Sequence, residues 1–339
     1  MIRTGPLNCI SDVGGITVGH AEDQSVRTGT TVILCDPPCI AAVDIRGGGP
    51  GTREVAALDP SCMIERIDGI SLSGGSVYGL AAADGLVGWL AEHGRGLQVA
   101  GACVPIVPGL ILFDLNNQGN KDWGGRAPYS ALARVAAERA AAGSAQGSVG
   151  AGFGALCGDL SGGLGTASTV LIDPPTYTVG ALAVVNAYGS AVHAADGGFW
   201  AAPYLADGDL GDAVTPWVTT AAERDAIQGT RASQAQAGAN TTLVVVATDA
   251  RLSKAQAQRL AIMAQDGLAR AVRPVHTPYD GDSVIALATG AKALHKPIED
   301  LYRLGHFAAD AVARAIVRAL FYADGMAPWP SYRMRFGAF

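Results

Sequence analysis

Thr241 stands in the run Ala237-Gly238-Ala239-Asn240-Thr241-Thr242-Leu243, where small residues and a glycine lead into an apolar strand. A threonine hydroxyl is a weak nucleophile unless a base lies beside it, and one arrangement takes that base from the threonine itself. As the first residue of a chain, Thr241 would have its own α-amine, with an ordinary pKa of about 7.7–8.0, to accept the hydroxyl proton near cellular pH. Making that terminus inside a longer chain requires the Thr241 hydroxyl to attack the Asn240 carbonyl, giving an ester that water then opens. The plain alternative is that Asn240-Thr241 is an ordinary strand start. A second feature is Asp280-Gly281-Asp282. Residues two apart in an extended segment share a face, so the two carboxylates either orient an amine or line a solvated turn. Ser283, Val284 and Ile285 do not supply the further acidic ligands of a calcium loop.

Two glycine-rich loops are candidates for holding negative charge. Gly47-Gly48-Gly49-Pro50-Gly51-Thr52-Arg53 follows a strand and either offers backbone N–H groups to an anion or oxyanion, or is a tight structural turn. Leu72-Ser73-Gly74-Gly75-Ser76 lies where a strand meets a helix N-terminus, a position that suits a carbonyl oxygen and equally suits close packing. The chain lacks a Gly-x-Ser-x-Gly elbow, a His-Glu-x-x-His pair and a Gly-x-x-x-x-Gly-Lys-Ser/Thr loop. Gly150-Ala151-Gly152-Phe153-Gly154-Ala155 fits only a relaxed dinucleotide fingerprint, with no strand before it. His20, His93, His193, His276, His295 and His306 show no metal-ligand spacing, and the six cysteines read as buried free thiols. Neither metal nor cofactor is expected.

The elements that must position these residues alternate in blocks. Strands are expected at 29–35, 41–46, 167–172, 178–185, 242–247 and 283–289, from short β-branched runs bounded by glycine or proline. Helices are expected at 75–92, with Tyr78, Ala81, Ala82, Gly85 and Trp89 on one face, and at about 130–142, 254–269 behind Ser253 as N-cap, and 297–322. Residues 196–238 show no sustained period and read as a long irregular connection ending just before the Thr241 strand. A layered α/β sandwich follows.

Composition narrows the class of function. A net charge of −6 argues against a surface that grips phosphate backbones, so nucleic acid is not an expected partner. With 49% hydrophobic and 16% charged residues the chain can bury a core. Its longest apolar runs, 104–115 and 243–247, are too short to span a bilayer, and Met1-Ile2-Arg3-Thr4-Gly5-Pro6 does not read as a secretory signal, so no membrane association and a cytoplasmic location are expected.

The runs Asp44–Glu54, Leu72–Gly85, Gly162–Ser168, Val185–Gly189, Ala239–Leu243 and His276–Asp282 together resemble the P1 family of self-processing aminopeptidases and amidases, peptidase family S58, over nearly the whole chain. The Asn-Thr-Thr junction and the Asp-Gly-Asp element are most similar to its nylon-oligomer (6-aminohexanoate-oligomer) hydrolase branch, whose nucleophile is threonine. The resemblance implies a four-layer α/β/β/α sandwich of the DmpA/ArgJ type, related to the N-terminal-nucleophile hydrolases. It implies one domain, 1–339, cleaved between Asn240 and Thr241 into a 1–240 α chain and a 241–339 β chain that stay associated, as a homotetramer of such pairs. It implies that Thr241 is nucleophile and its amine the base, that Asn186 offers its amide N–H to the oxyanion, and that Asp280 and Asp282 orient and charge the amine. The implied substrate is a short amide or peptide, hydrolysed through an acyl-enzyme. β-Peptidyl or L-aminopeptidase/D-esterase activity, acyl transfer as in the ornithine acetyltransferases, and an unprocessed binding scaffold are the alternatives. Two positions depart from the branch: Phe113 replaces an assisting tyrosine, and Asp159 replaces a site lysine, where a carboxylate would attract a substrate's cationic amine. Gly48, Gly49, Ser73, Gly74 and Gly75 join these two as candidates to line the substrate or oxyanion loop.

Overall fold

The computed structural model describes residues 1–193, 196–213 and 239–337. Its strands are β1 (Ile2–Thr4), β2 (Ile16–Asp23), β3 (Thr28–Ile45), β4 (Gly51–Arg53), β5 (Arg66–Ser73), β6 (Leu97–Val99), β7 (Ala102–Val104) and β8 (Gly109–Ile111). There follow β9 (Leu156–Cys157), β10 (Leu160–Ser161), β11 (Gly163–Leu171), β12 (Tyr177–Asn186), β13 (Asp209–Asp212), β14 (Thr241–Ala250) and β15 (Ser283–Lys292). The helices are α1 (Ala82–Glu92), α2 (Tyr129–Glu138), α3 (Lys254–Ala271), α4 (Pro297–Phe321) and α5 (Tyr332–Phe336).

The hydrogen-bonded strand order is β1-β11-β12-β14-β15-β3-β5-β8-β4, with β2 on β3. The two early strands expected at 29–35 and 41–46 are one long strand, β3, interrupted at Asp36-Pro37-Pro38, where its register on β5 shifts. The first half of β3 pairs with β2 and the second half with β15, so this strand passes from one layer to the other. Three apolar packings make the sandwich. Val179, Ala181, Val244, Val246, Val284 and Ala286 face α3 and α4, whereas Leu182, Val184, Leu243, Val245 and Ile285 meet Ile33, Ile70 and Leu110 of the second layer. Val32 and Leu34 then pack on α1 and α2. The order α/β/β/α is thus built from alternation along each strand.

Ser253 caps α3, its Oγ accepting from Gln256 N–H while Gln256 Oε1 accepts from Ser253 N–H. Gly163 and Gly165, of the Gly162–Ser168 run, lie within β11, and a Cβ on Gly165 would strike the Ala315 carbonyl of α4. The first helix departs from expectation. Residues 76–81 form a 3-10 turn and α1 begins at Ala82, so Tyr78 falls out of phase and is exposed, while Ala82, Ala83, Leu86 and Leu90 make the buried face. Cys9, Cys35, Cys39 and Cys157 are buried, but Cys62 is exposed and Cys103 half-buried, because they lie in a loop and in the small β6–β7 hairpin. Within the expected irregular connection, residues 196–213 carry a 3-10 turn at Ala202–Tyr204 and strand β13; residues 214–238 lie outside the described residues. Among the described residues no helix is long and apolar enough to cross a membrane.

One buried ion pair ties distant segments together. Arg314 of α4 donates to both carboxylate oxygens of Asp209, at 2.7 and 2.9 Å, and to Asn8 Oδ1 at 2.9 Å. Burial pushes the Asp209 carboxyl up, but hydrogen bonding and charge from Arg314 outweigh it and hold it below the usual range. Arg314→Met should leave that carboxylate buried without its main partner and cost about 3–5 kcal/mol, read as a lower urea midpoint at unchanged slope. The difference from wild type should be present at neutral pH and fade as pH falls through Asp209's lowered value.

Candidate active site

Thr241 opens β14, the strand flanked by β12 and β15. Its register partner on β12 is Asn186, while on the other side Asn240 bridges to Asp280 just ahead of β15. The fold therefore brings the junction, the amide and the two carboxylates together. All are shut off from solvent: Thr241 is 2% exposed, Asn186 0%, Asp280 and Asp282 1% each. The Thr241 hydroxyl lies against the carbonyl oxygen of Asn240, the residue it would have to attack.

Each partner is fixed by several bonds. Asn186 Oδ1 accepts from Leu156 N–H at 2.9 Å, and its Nδ2 donates to the carbonyls of Phe113, at 2.9 Å, and Ala239, at 3.4 Å. Asp282 Oδ1 accepts from Thr242 N–H at 2.8 Å, one peptide beyond the candidate nucleophile, and its Oδ2 accepts from the N–H and Nδ1 of His276 at 3.0 and 2.9 Å. Asp280 accepts from Tyr188 N–H and from the N–H and hydroxyl of Thr277. Burial, and after it the Asp282 charge, pushes the Asp280 carboxyl above the usual range. Tyr188 and Tyr279 stack at 5.2 Å beside this turn.

The glycine loops act differently from an open anion cradle. The N–H groups of Gly47, Gly48 and Gly49 are committed to the carbonyls of Asp282, Thr277 and Asp280, at 3.2, 3.3 and 2.8 Å. This loop braces the Asp-Gly-Asp turn, and a Cβ on Gly48 would lie 2.7 Å from Pro278 Cα. The second loop is equally committed: Ser73 Oγ pairs with Thr30 Oγ1, Gly74 N–H donates to Gly29, and Gly75 N–H donates to Asp114 Oδ1. Asp114, a carboxyl pushed up mainly by burial, also takes the Thr28 hydroxyl at 2.5 Å. It directly follows Phe113, whose carbonyl holds Asn186, so this loop reaches the site by supporting that carbonyl. Phe113 thus joins the cluster through its backbone. Asp159 does not: on the turn between β9 and β10 it is half exposed and paired with Arg335 at 2.6 Å, so its charge is already matched.

Two participants escaped the sequence. His276 entered as one of six scattered histidines and as the first residue of the His276–Asp282 run, with no role of its own, yet it grips Asp282. Gly281 looked like a spacer between carboxylates, yet its N–H donates to the Asn240 carbonyl oxygen at 2.8 Å. A glycine between two acids signals a close backbone approach, and a Cβ here would lie 2.7 Å from Thr241 Oγ1.

Comparison with known proteins places the chain. The profile described as peptidase family S58 matches residues 8–330. An uncharacterized aminopeptidase of Mycobacterium tuberculosis (strain H37Rv) is 43% identical, the match covering 98% of this chain and 99% of that one. A 6-aminohexanoate-oligomer endohydrolase of Kocuria sp. is 30% identical, over 84% of this chain and 76% of its own. Among solved structures, a Burkholderia sp. beta-aminopeptidase superposes with a TM-score of 0.69 at 27% identity, covering 94% of this chain and 88% of that one. The L-aminopeptidase D-Ala-esterase/amidase of Ochrobactrum anthropi, described as a variant of the Ntn hydrolase fold, gives 0.71 at 24% identity, covering 97% and 90%.

Proposed function

The chain belongs to peptidase family S58, hydrolases of peptide and amide bonds, and on that premise we propose that it cleaves itself before Thr241 and then hydrolyses short amides or peptides with Thr241 as N-terminal nucleophile. The observation that carries this reading is the Thr241 hydroxyl against the Asn240 carbonyl at the mouth of a rigid central strand. In the continuous chain that hydroxyl is buried and the Asn186 amide is occupied, so no substrate can enter until the Asn240 end moves away. Splitting would expose the nucleophile, free its amine as base, and release one Asn186 N–H from the Ala239 carbonyl.

Turnover then runs through an acyl-enzyme. The Thr241 amine takes the Oγ proton as Oγ adds to the substrate carbonyl, and Asn186 Nδ2–H receives the developing oxyanion. The amine returns the proton to the leaving nitrogen as the C–N bond breaks, and water releases the acid. Asp282 positions this amine by holding the next peptide N–H, Thr242. Relatives suggest the substrate range to try first: 6-aminohexanoate oligomers, β-amino-acid amides and L-amino-acid amides. The two pieces, 1–240 and 241–339, are proposed to remain associated, assembling as a tetramer of pairs in the cytoplasm.

Denaturing mass spectrometry of the purified wild type tests the core of this. Two masses matching residues 1–240 and 241–339 are the expected result, with Thr241 labelled by an acylating probe. An intact chain that neither splits on long incubation nor takes the label would leave a binding scaffold as the reading.

A further inference from the structure

We propose that the main-chain N–H of Gly281 is the oxyanion donor for self-cleavage, leaving the Asn186 amide to serve the later hydrolysis of substrates. This rests on the reading that the chain splits before Thr241. When Thr241 Oγ adds to the Asn240 carbonyl carbon, the carbonyl oxygen gains a full negative charge and needs a donor already aimed at it. Asn186 is not that donor: its amide points to the carbonyls of Phe113 and Ala239, the latter one residue short of the scissile one. Gly281 N–H donates to the scissile oxygen itself, at 2.8 Å.

The surroundings fix this donor before reaction. Gly49 N–H holds the Asp280 carbonyl, Arg46 and Gly47 N–H hold that of Asp282, and the Asp280 and Asp282 side chains are each tied by three bonds. Gly281 lies between them with no side chain, and a Cβ there would stand 2.7 Å from Thr241 Oγ1 and 2.8 Å from the Gly49 carbonyl oxygen. The position therefore demands glycine for space and a peptide N–H for charge. In the step, the Oγ–C bond forms, the Asn240–Thr241 C–N bond breaks, and the Oγ proton ends on the freed amine; water then opens the ester to give the Asn240 carboxylic acid and regenerate the hydroxyl.

Replacing Gly281 by glycolic acid in the full-length chain, through nonsense suppression, swaps this N–H for an ester oxygen and adds no side chain. Splitting followed by mass spectrometry should slow by about 10²–10³-fold, the usual effect of removing one oxyanion donor. Per titrated Thr241 terminus, the fraction that has split should hydrolyse a test amide faster than the split Asn186→Ala chain. Asn186→Ala should behave in reverse, splitting readily and turning over poorly. Splitting of the ester chain at the wild-type rate overturns the assignment, as does an ester chain whose split fraction is as inactive as Asn186→Ala. If the wild type itself never splits, the underlying reading fails instead.

Discussion

Thr241→Ala is expected to leave the chain whole under conditions where the wild type separates before residue 241, and to reduce amide hydrolysis by about 10⁴-fold or more. Both effects have one origin in the proposed function, in which the same Oγ attacks Asn240 once and substrate carbonyls thereafter. The substitution deletes the hydroxyl, whose bond is to the adjoining carbonyl, together with the buried γ-methyl, and keeps the Cβ at the start of β14. Its stability cost should be about 1–2 kcal/mol, so thermal unfolding separates loss of chemistry from loss of fold. A variant that still splits at 240/241 would remove Thr241 from the reaction altogether. Thr241→Ser, which keeps the hydroxyl, should split and turn over.

Asp282→Asn is expected to lower kcat by about 10²-fold and to slow splitting, with the fold retained. The carboxylate accepts three hydrogen bonds, from Thr242 N–H on one oxygen and from the His276 N–H and ring on the other. An amide can accept on one side only and turns an NH2 toward a donor on the other. Either Thr242, and with it the Thr241 amine, or His276 then shifts. A second signature lies in stability against pH. Asp280 is raised above the ordinary range first by burial and then by the Asp282 charge, so its contribution to stability is full in acid and is lost as pH rises through its elevated value. With residue 282 neutral the charge part disappears and burial remains. The decline in urea midpoint should therefore be smaller and centred at lower pH. An unchanged pH profile together with unchanged kcat would show that Asp282 neither charges nor positions the site.

Most of the long elements and the candidate reacting groups could be read from the sequence alone. Strand β14 was legible in its β-branched run, the cap of α3 in Ser253, and the outer helices in their periodicity, because each of these reports a local preference or a burial pattern carried by adjacent residues. The junction at Thr241 and the acidic pair stood out as candidates because their chemistry belongs to the side-chain type. What the backbone donors do was settled by folding. Whether Gly48, Gly49 and Gly75 face a ligand or a carbonyl depends on chain that arrives from Thr277, Asp280 and Asp114. What His276 and Asp159 do likewise depends on what meets them, a buried carboxylate for one and Arg335 for the other. Asn186 is oriented by a carbonyl 73 residues away, and Thr242 by a carboxylate 40 residues away. A hydrogen bond is made by geometry at about 3 Å, and a linear sequence records the donors without recording the acceptors that folding brings within that distance.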